Sequence, residues 1–155
     1  MPGQQPSRPG GPQREPPQPF GPPTAIGTQN IQLGVTISDS FSSDVQSKKT
    51  VTMLIVDGRS GQIRSMGGEG LINIDAQPSI QKDGRILLQL SVEYRPDLST
   101  EQSEALRKSG VVKITMFTES LSLLVTDGKP VIASQSSDPR SDRRVALEVT
   151  ATVVK

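Results

Sequence analysis

Neither histidine nor cysteine occurs among the 155 residues of this chain, so any chemistry it performs must run on carboxylates, hydroxyls and lysines. Their absence removes Ser-His-Asp and Cys-His nucleophile pairs, His/Cys zinc sites, disulfides and thiol redox chemistry together. A carboxylate pair, a Ser-Lys pair or an all-oxygen metal site remains. The carboxylates that recur in a pattern are those of Asp57-Gly58-Arg59, Asp83-Gly84-Arg85 and Asp127-Gly128-Lys129. Each stands at the end of an apolar run, where an Asp side chain bonds turn backbone and Gly supplies positive φ at no steric cost. Asp57, Gly58, Asp83, Gly84, Asp127 and Gly128 are therefore read as structural turns. No catalytic, cofactor-binding or metal-ligating residue is assigned.

The other acidic groups have equally plain readings. The Ser136–Asp142 loop, with Asp138, Arg140, Asp142, Arg143 and Arg144, lacks the alternating oxygen ligands and terminal Glu of a calcium loop. It reads as a solvated loop with local Asp/Arg pairing. Ser38-Asp39-Ser40 and Ser43-Asp44 read the same way. Gly67-Gly68-Glu69-Gly70 matches no phosphate-cradling pattern and reads as a connection between strands. A glycosidase pair of Glu93 with Glu119 or Glu148 needs carboxyls about 5–9 Å apart, which nothing in the sequence supports.

These groups must sit on something, and the pattern of apolar residues says what. Ile31, Leu33, Val35 and Ile37 alternate with polar residues, as a half-buried strand requires. Further strands are predicted at Thr50–Val56, Gln62–Met66, Leu71–Gln81, Arg85–Arg95, Val111–Phe117, Leu121–Thr126, Pro130–Ser134 and Arg143–Val154. Pro78 predicts that Leu71–Gln81 bends or lies at an edge. Ser38–Lys49 reads as a long polar loop. Ser99-Thr100-Glu101-Gln102 has capping-box form and predicts one short surface helix up to Lys108, stopped by Gly110. Asp-Gly between alternating runs is a strong hairpin signal, so the three breaks predict a sheet built from hairpins. The fold class expected is mainly β, an antiparallel β-sandwich or curved sheet of about eight strands with one short helix.

Composition narrows the function. Net charge is +1, from 17 basic and 16 acidic residues, which gives no field for nucleic acid or an anionic membrane. Aromatic content is 3%, too sparse for a base-stacking platform or an aromatic sugar strip. No apolar run approaches about 20 residues, so no integral membrane helix is expected. Met1 leads straight into Pro2 and Gly3, without the apolar core of a secretory signal. Nine of the 13 prolines fall between Pro2 and Pro23. Residues 1–28 are expected to be a Pro/Gly-rich disordered tether, and residues 29–155 one β-rich domain.

The run Leu71-Ile72-Asn73-Ile74-Asp75-Ala76-Gln77-Pro78-Ser79-Ile80-Gln81-Lys82-Asp83-Gly84-Arg85-Ile86-Leu87-Leu88-Gln89-Leu90-Ser91-Val92-Glu93 resembles the central hairpin of the bacterial secretin C-terminal domain, where L-x-V-x-P-x-I-x-x-D-G-x-I-x-L-x-V recurs. Val51–Gly67 is similar to the stretch before that hairpin, and Leu121–Ala133 to a later strand pair. The resemblance implies a secretin-like β-domain of the bacterial periplasm or cell envelope, without its own channel; a cysteine-free chain suits that compartment, and the cytoplasm stays open. The expected role is a non-enzymatic assembly or interaction module. It would meet protein partners or its own copies through strand edges, around Thr118–Thr126 and Gln29–Ser38, with no cofactor and no small-molecule substrate. The alternative is a ligand- or glycan-binding β-sandwich using a concave polar face of Gln89, Ser91, Glu93 and Arg95.

Overall fold

The computed structural model describes residues 3, 27–41, 45–68, 70–110, 114–138 and 142–155. Its elements are β1 (Asn30–Ser40), β2 (Gln46–Val56), β3 (Gly61–Gly67), β4 (Gly70–Ile80), β5 (Ile86–Arg95), α1 (Thr100–Lys108), β6 (Phe117–Val125), β7 (Val131–Ser137) and β8 (Arg144–Val154). They form two four-stranded antiparallel sheets, β2-β1-β8-β7 and β3-β4-β5-β6. Mainly β, with eight strands and one short helix, is the architecture that the alternation predicts. The expected tether falls almost entirely outside the described residues, as do Ser43-Asp44, Glu69 and Arg140.

Alternation builds the core directly. Ile31, Leu33, Val35 and Ile37 of β1 and Leu147, Val149 and Ala151 of β8 face inward from one sheet. Ile74 and Ala76 of β4 and Ile86, Leu88, Leu90, Val92 and Tyr94 of β5 meet them from the other. Central strands supply most of the buried residues because their neighbours cover both flanks; edge strands keep half-buried Val51, Met53, Leu121 and Leu123 packed against the rim. A second, small cluster of Phe41, Val45 and Leu106 sits under α1, with Leu98 and Ile114 against it.

Three sequence expectations are corrected. Ser38–Lys49 is mostly strand, not loop: Ser38, Asp39 and Ser40 pair with Lys48, Ser47 and Gln46, and 42–44 lie outside the described residues. Val111–Phe117 is not a strand; Ile114–Met116 is irregular, β6 starts at Phe117, and 111–113 lie outside the described residues. Only Asp83-Gly84 closes a hairpin, between β4 and β5. The Asp57-Gly58 and Asp127-Gly128 turns instead carry the chain from one sheet to the other.

Turn geometry explains that difference. Arg59 N–H bonds Val56 C=O at 2.9 Å, and Lys129 N–H bonds Thr126 C=O at 3.0 Å, so Gly58 (φ 77°) and Gly128 (φ 73°) occupy the third position of a four-residue turn. Such type II turns splay flanking strands apart, which suits a crossing between sheets. In the hairpin, Gly84 N–H bonds Gln81 C=O at 3.0 Å, so Gly84 (φ 86°) occupies the fourth position, the three-residue form that keeps strands paired.

The topology has an internal two-fold. Replacing β1, β2, β3 and β4 by β5, β6, β7 and β8 turns the order β2-β1-β8-β7 into β6-β5-β4-β3, which is the other sheet. The core follows the same exchange: Ile31 pairs with Ile55 as Ile86 pairs with Val125, and Ile37 pairs with Lys49 as Val92 pairs with Glu119. Strand direction is preserved, so the axis runs along the strands. Sequence echoes it in Leu54-Ile55-Val56-Asp57-Gly58-Arg59 and Leu124-Val125-Thr126-Asp127-Gly128-Lys129.

Candidate functional site

Each recurrent Asp is held by backbone. Asp83 Oδ1 accepts the Arg85 N–H at 3.0 Å within its own turn, and its Oδ2 takes the Arg85 guanidinium at 2.7 Å. These bonds hold the Asp83 carboxyl below the usual carboxylate range, the side-chain bond to Arg85 contributing most. Asp57 and Asp127 reach further. Asp57 Oδ1 accepts Ile80 N–H at 2.7 Å while Gly58 N–H donates to Pro78 C=O at 2.8 Å. Asp127 Oδ1 accepts Val153 N–H at 2.8 Å while Gly128 N–H donates to Ala151 C=O at 2.8 Å.

These two clamps cover the ends of β4 and β8 that their short neighbours leave bare. β3 pairs with β4 only as far as Ala76, and β7 with β8 only as far as Val149. Beyond those points a strand would show unpaired N–H and C=O groups, and the Asp-Gly turn satisfies both kinds. Pro78 fits here because the C=O and the missing N–H of one strand residue face the same side, toward Gly58. β4 is therefore an interior strand whose last residues are locally an edge, and Pro78 loses no bond to β5.

At the opposite end lies a buried ion pair that sequence reading placed in solvent. Asp39 is 1% exposed on β1 and Arg143 8% exposed just before β8. Arg143 Nε and Nη2 bond the two Asp39 oxygens at 3.0 and 2.8 Å, and Nη1 bonds Thr115 C=O at 2.5 Å. The guanidinium carbon stands 4.9 Å from the Phe41 ring centroid. Tyr94 closes this end, its hydroxyl donating to Ser47 Oγ at 3.5 Å. The pair ties β1, β8 and the stretch after α1 together.

The possible glutamate pairs are not assembled. Glu93 faces outward on β5 and accepts the Asn73 amide at 3.0 Å; Glu119 faces inward on β6 and accepts the Ser134 hydroxyl at 2.6 Å; Glu148 is exposed on the other sheet. Among the described residues, no three acidic groups gather as a metal site would require. Gln89 and Ser91 do line a hollow of about 530 Å³ on the outer face of the β3-β4-β5-β6 sheet, with Gln62, Asp75, Gln77 and Ser122. Glu93 and Arg95 lie outside it.

The uncovered features are the sheet edges. β2 and β7 end one sheet, β3 and β6 the other. Thr118–Thr126 falls on β6, an edge. Gln29–Ser38 falls on β1, which lies between β2 and β8 with both its ladders filled, so that expectation is corrected. The β2-β3 crossover puts those two edges on one flank, and the β6-β7 crossover puts the other two on the opposite flank. No helix among the described residues is long and apolar enough to cross a membrane.

No protein-family model matches the chain, and no curated protein matches it. Its fold is similar to that of secretins among solved structures. A chain of the Klebsiella pneumoniae type II secretion system outer membrane complex of PulD, PulS and the PulC HR domain aligns with a TM-score of 0.54 and 10% identity, over 84% of this chain and 41% of that one. InvG, the secretin of the Salmonella SPI-1 type III secretion injectisome, aligns at 0.48 and 12%, over 84% and 66%. XcpQ, the type II secretion secretin of Pseudomonas aeruginosa, aligns at 0.40 and 10%, over 81% and 56%. The chain thus spans less than two thirds of the length of these matches. The Klebsiella alignment, above one half in TM-score, is the one of the three that bears on fold.

Proposed function

We propose that this chain is a non-enzymatic, secretin-like assembly module of the bacterial cell envelope, which joins protein partners or its own copies through its strand edges. One observation supports the reading most: each flank presents two uncovered edges, and the two flanks are related by the internal two-fold. A second copy in the same orientation can set β7 against β2 and β6 against β3. Every strand alternates in direction, so both additions are antiparallel and extend both sheets at once. Such an addition is head-to-tail and closes into a ring or runs on as a filament.

The envelope placement draws on the similarity to the outer membrane complex chain and on the lack of cysteine. The non-enzymatic reading draws on carboxylates already engaged by the backbone of β4 and β8, by Arg143, by Asn73 or by Ser134. A single copy has no pore of its own on this reading, because side chains fill the space between its sheets. Residues 1–28 would serve as the tether that lets the domain reach a neighbour, a role resting on their proline content alone.

Light scattering across a concentration series tests the proposal. Mass that rises with concentration, with rings or filaments in electron micrographs, is the expected result. A monomer at every concentration, with no partner retained from envelope extracts, rules it out. The hollow around Gln89 and Ser91 favours a second reading, a polar polymer bound on the outer sheet face; glycan-array binding lost in Gln89→Ala would establish it.

A further inference from the structure

Charges on the two flanks are opposite in sign. β2 carries Lys48 and Lys49, with no acid on β2 or β3; the Arg64 of β3 is already paired with Asp75 at 2.7 Å. β6 carries Glu119 and β7 no charge, with no base on either. Two of these residues occupy equivalent places. Lys49 lies opposite Ile37 on β1 and Glu119 opposite Val92 on β5, positions that the internal two-fold exchanges. Both belong to the rows that face the other sheet, at the rim of their flanks, with Lys49 exposed and Glu119 half-buried. The axis lies along the strands, so the two stand at one height on opposite sides of the molecule.

An inward charge on an edge strand can simply discourage edge-to-edge pairing. A base and an acid at symmetry-equivalent positions do something more selective. Like flank against like flank brings Lys49 to Lys49, or Glu119 to Glu119. Unlike flanks bring Lys49 to Glu119 across the junction between the sheets. The three salt bridges among the described residues do not involve Lys49, and Glu119 is held by the neutral hydroxyl of Ser134.

Resting on the assembly reading above, we infer that the occupant of the β2/β3 flank is the β6/β7 flank of a second copy. Lys49 of one copy pairs with Glu119 of the next and thereby fixes the polarity and level of strand addition. Opposite charges across such a junction suppress the wrong pairing as much as they favour the right one. The pair therefore selects a head-to-tail chain of copies over a symmetric dimer.

Charge reversal tests this, because the two single variants are complementary to each other. Lys49→Glu gives a copy with an acid on both flanks, and Glu119→Lys a copy with a base on both. Each alone is expected to need about tenfold or more higher concentration to assemble than the unaltered chain. An equimolar mixture of the two should assemble by alternation, and the doubly exchanged chain should assemble by itself. Circular dichroism of each variant checks that the sheets are intact. If the unaltered chain assembles and all variants match it, the Lys49–Glu119 pairing is wrong while the assembly reading stands. If both variants are impaired but neither the mixture nor the double exchange recovers, the pairing is likewise wrong. If the unaltered chain and the mixture stay monomeric throughout, the assembly reading fails and takes the pairing with it.

Discussion

Arg143 holds Asp39 through two parallel hydrogen bonds, 3.0 Å from Nε and 2.8 Å from Nη2, across a sequence separation of 104 residues. Both side chains are almost fully enclosed, at 9% and 0% exposure. A fork-to-fork contact of this kind carries directional specificity as well as charge attraction. Because a third guanidinium bond reaches Thr115, the pair also anchors the stretch that brings the chain from α1 into β6.

Asp39→Asn keeps the shape and removes the charge that faces the buried Arg143 guanidinium. Breaking a buried pair from one side costs about 3–5 kcal/mol. Urea denaturation should show a loss of that size, and the double variant Asp39→Asn/Arg143→Gln a smaller one. An Asp39→Asn midpoint equal to the unaltered chain's would mean that the pair contributes nothing.

Asp57→Ala and Asp127→Ala each strand a backbone N–H, on Ile80 and Val153 respectively, that no neighbouring strand reaches. Asp57→Ala, at a half-buried bond, should cost about 1–2 kcal/mol, and Asp127→Ala, at a bond open to water, about 0.5–1 kcal/mol. The two clamps belong to opposite flanks and share no partner, so the double variant should show the sum within about 0.5 kcal/mol. Amide exchange at Ile80 and Val153 should accelerate in the matching variant only.

How far these features could be read in advance depends on whether they are local. The core alternation in Ile31–Ile37 and Ile86–Tyr94 is written in consecutive residues, so the strands and the capping box at Ser99 could be seen directly. Asp57-Gly58 and Asp83-Gly84 look alike in sequence, yet one crosses between sheets and the other closes a hairpin. What separates them is where Gly stands relative to the turn bond, a backbone property that the dipeptide does not encode. Asp39 sits in Ser-Asp-Ser, a solvent-like context, and its burial comes from a residue on the far side of the chain. The equivalence of Lys49 and Glu119 needs the pairing register of four strands. Its one local trace is the likeness of Leu54-Ile55-Val56-Asp57-Gly58-Arg59 to Leu124-Val125-Thr126-Asp127-Gly128-Lys129.

Ser99 caps α1 with its hydroxyl on the Gln102 N–H at 3.2 Å, and the Gln102 side chain returns a bond from the Ser99 N–H at 3.0 Å. Ser99→Ala should cost about 1 kcal/mol. The effect should appear as faster amide exchange in the first turn of α1, with exchange in β5 unchanged. Equal exchange along α1 would show that Leu106 in the small cluster, rather than the cap, holds the helix in place.

Tyr94 is the only tyrosine, so its ionisation can be followed without assignment by the ultraviolet absorbance of phenolate. Burial pushes its phenol above the ordinary value of 10.0; the bond to Ser47 works against that shift, and the opposed charges of Asp39 and Arg143 respectively add to it and reduce it. A phenol whose folded value is raised holds its proton more tightly when folded than when unfolded. Its contribution to stability is therefore complete below pH 10 and is lost as pH rises through the raised folded value. Denaturation midpoints should fall across that alkaline window, and Tyr94→Phe, which has no proton to lose there, should flatten the decline. Absorbance should likewise rise later in the folded chain than in urea. Coincident titration curves in the two states would show that the phenol is hydrated, and that this end of the sandwich is open to water beside Asp39 and Arg143.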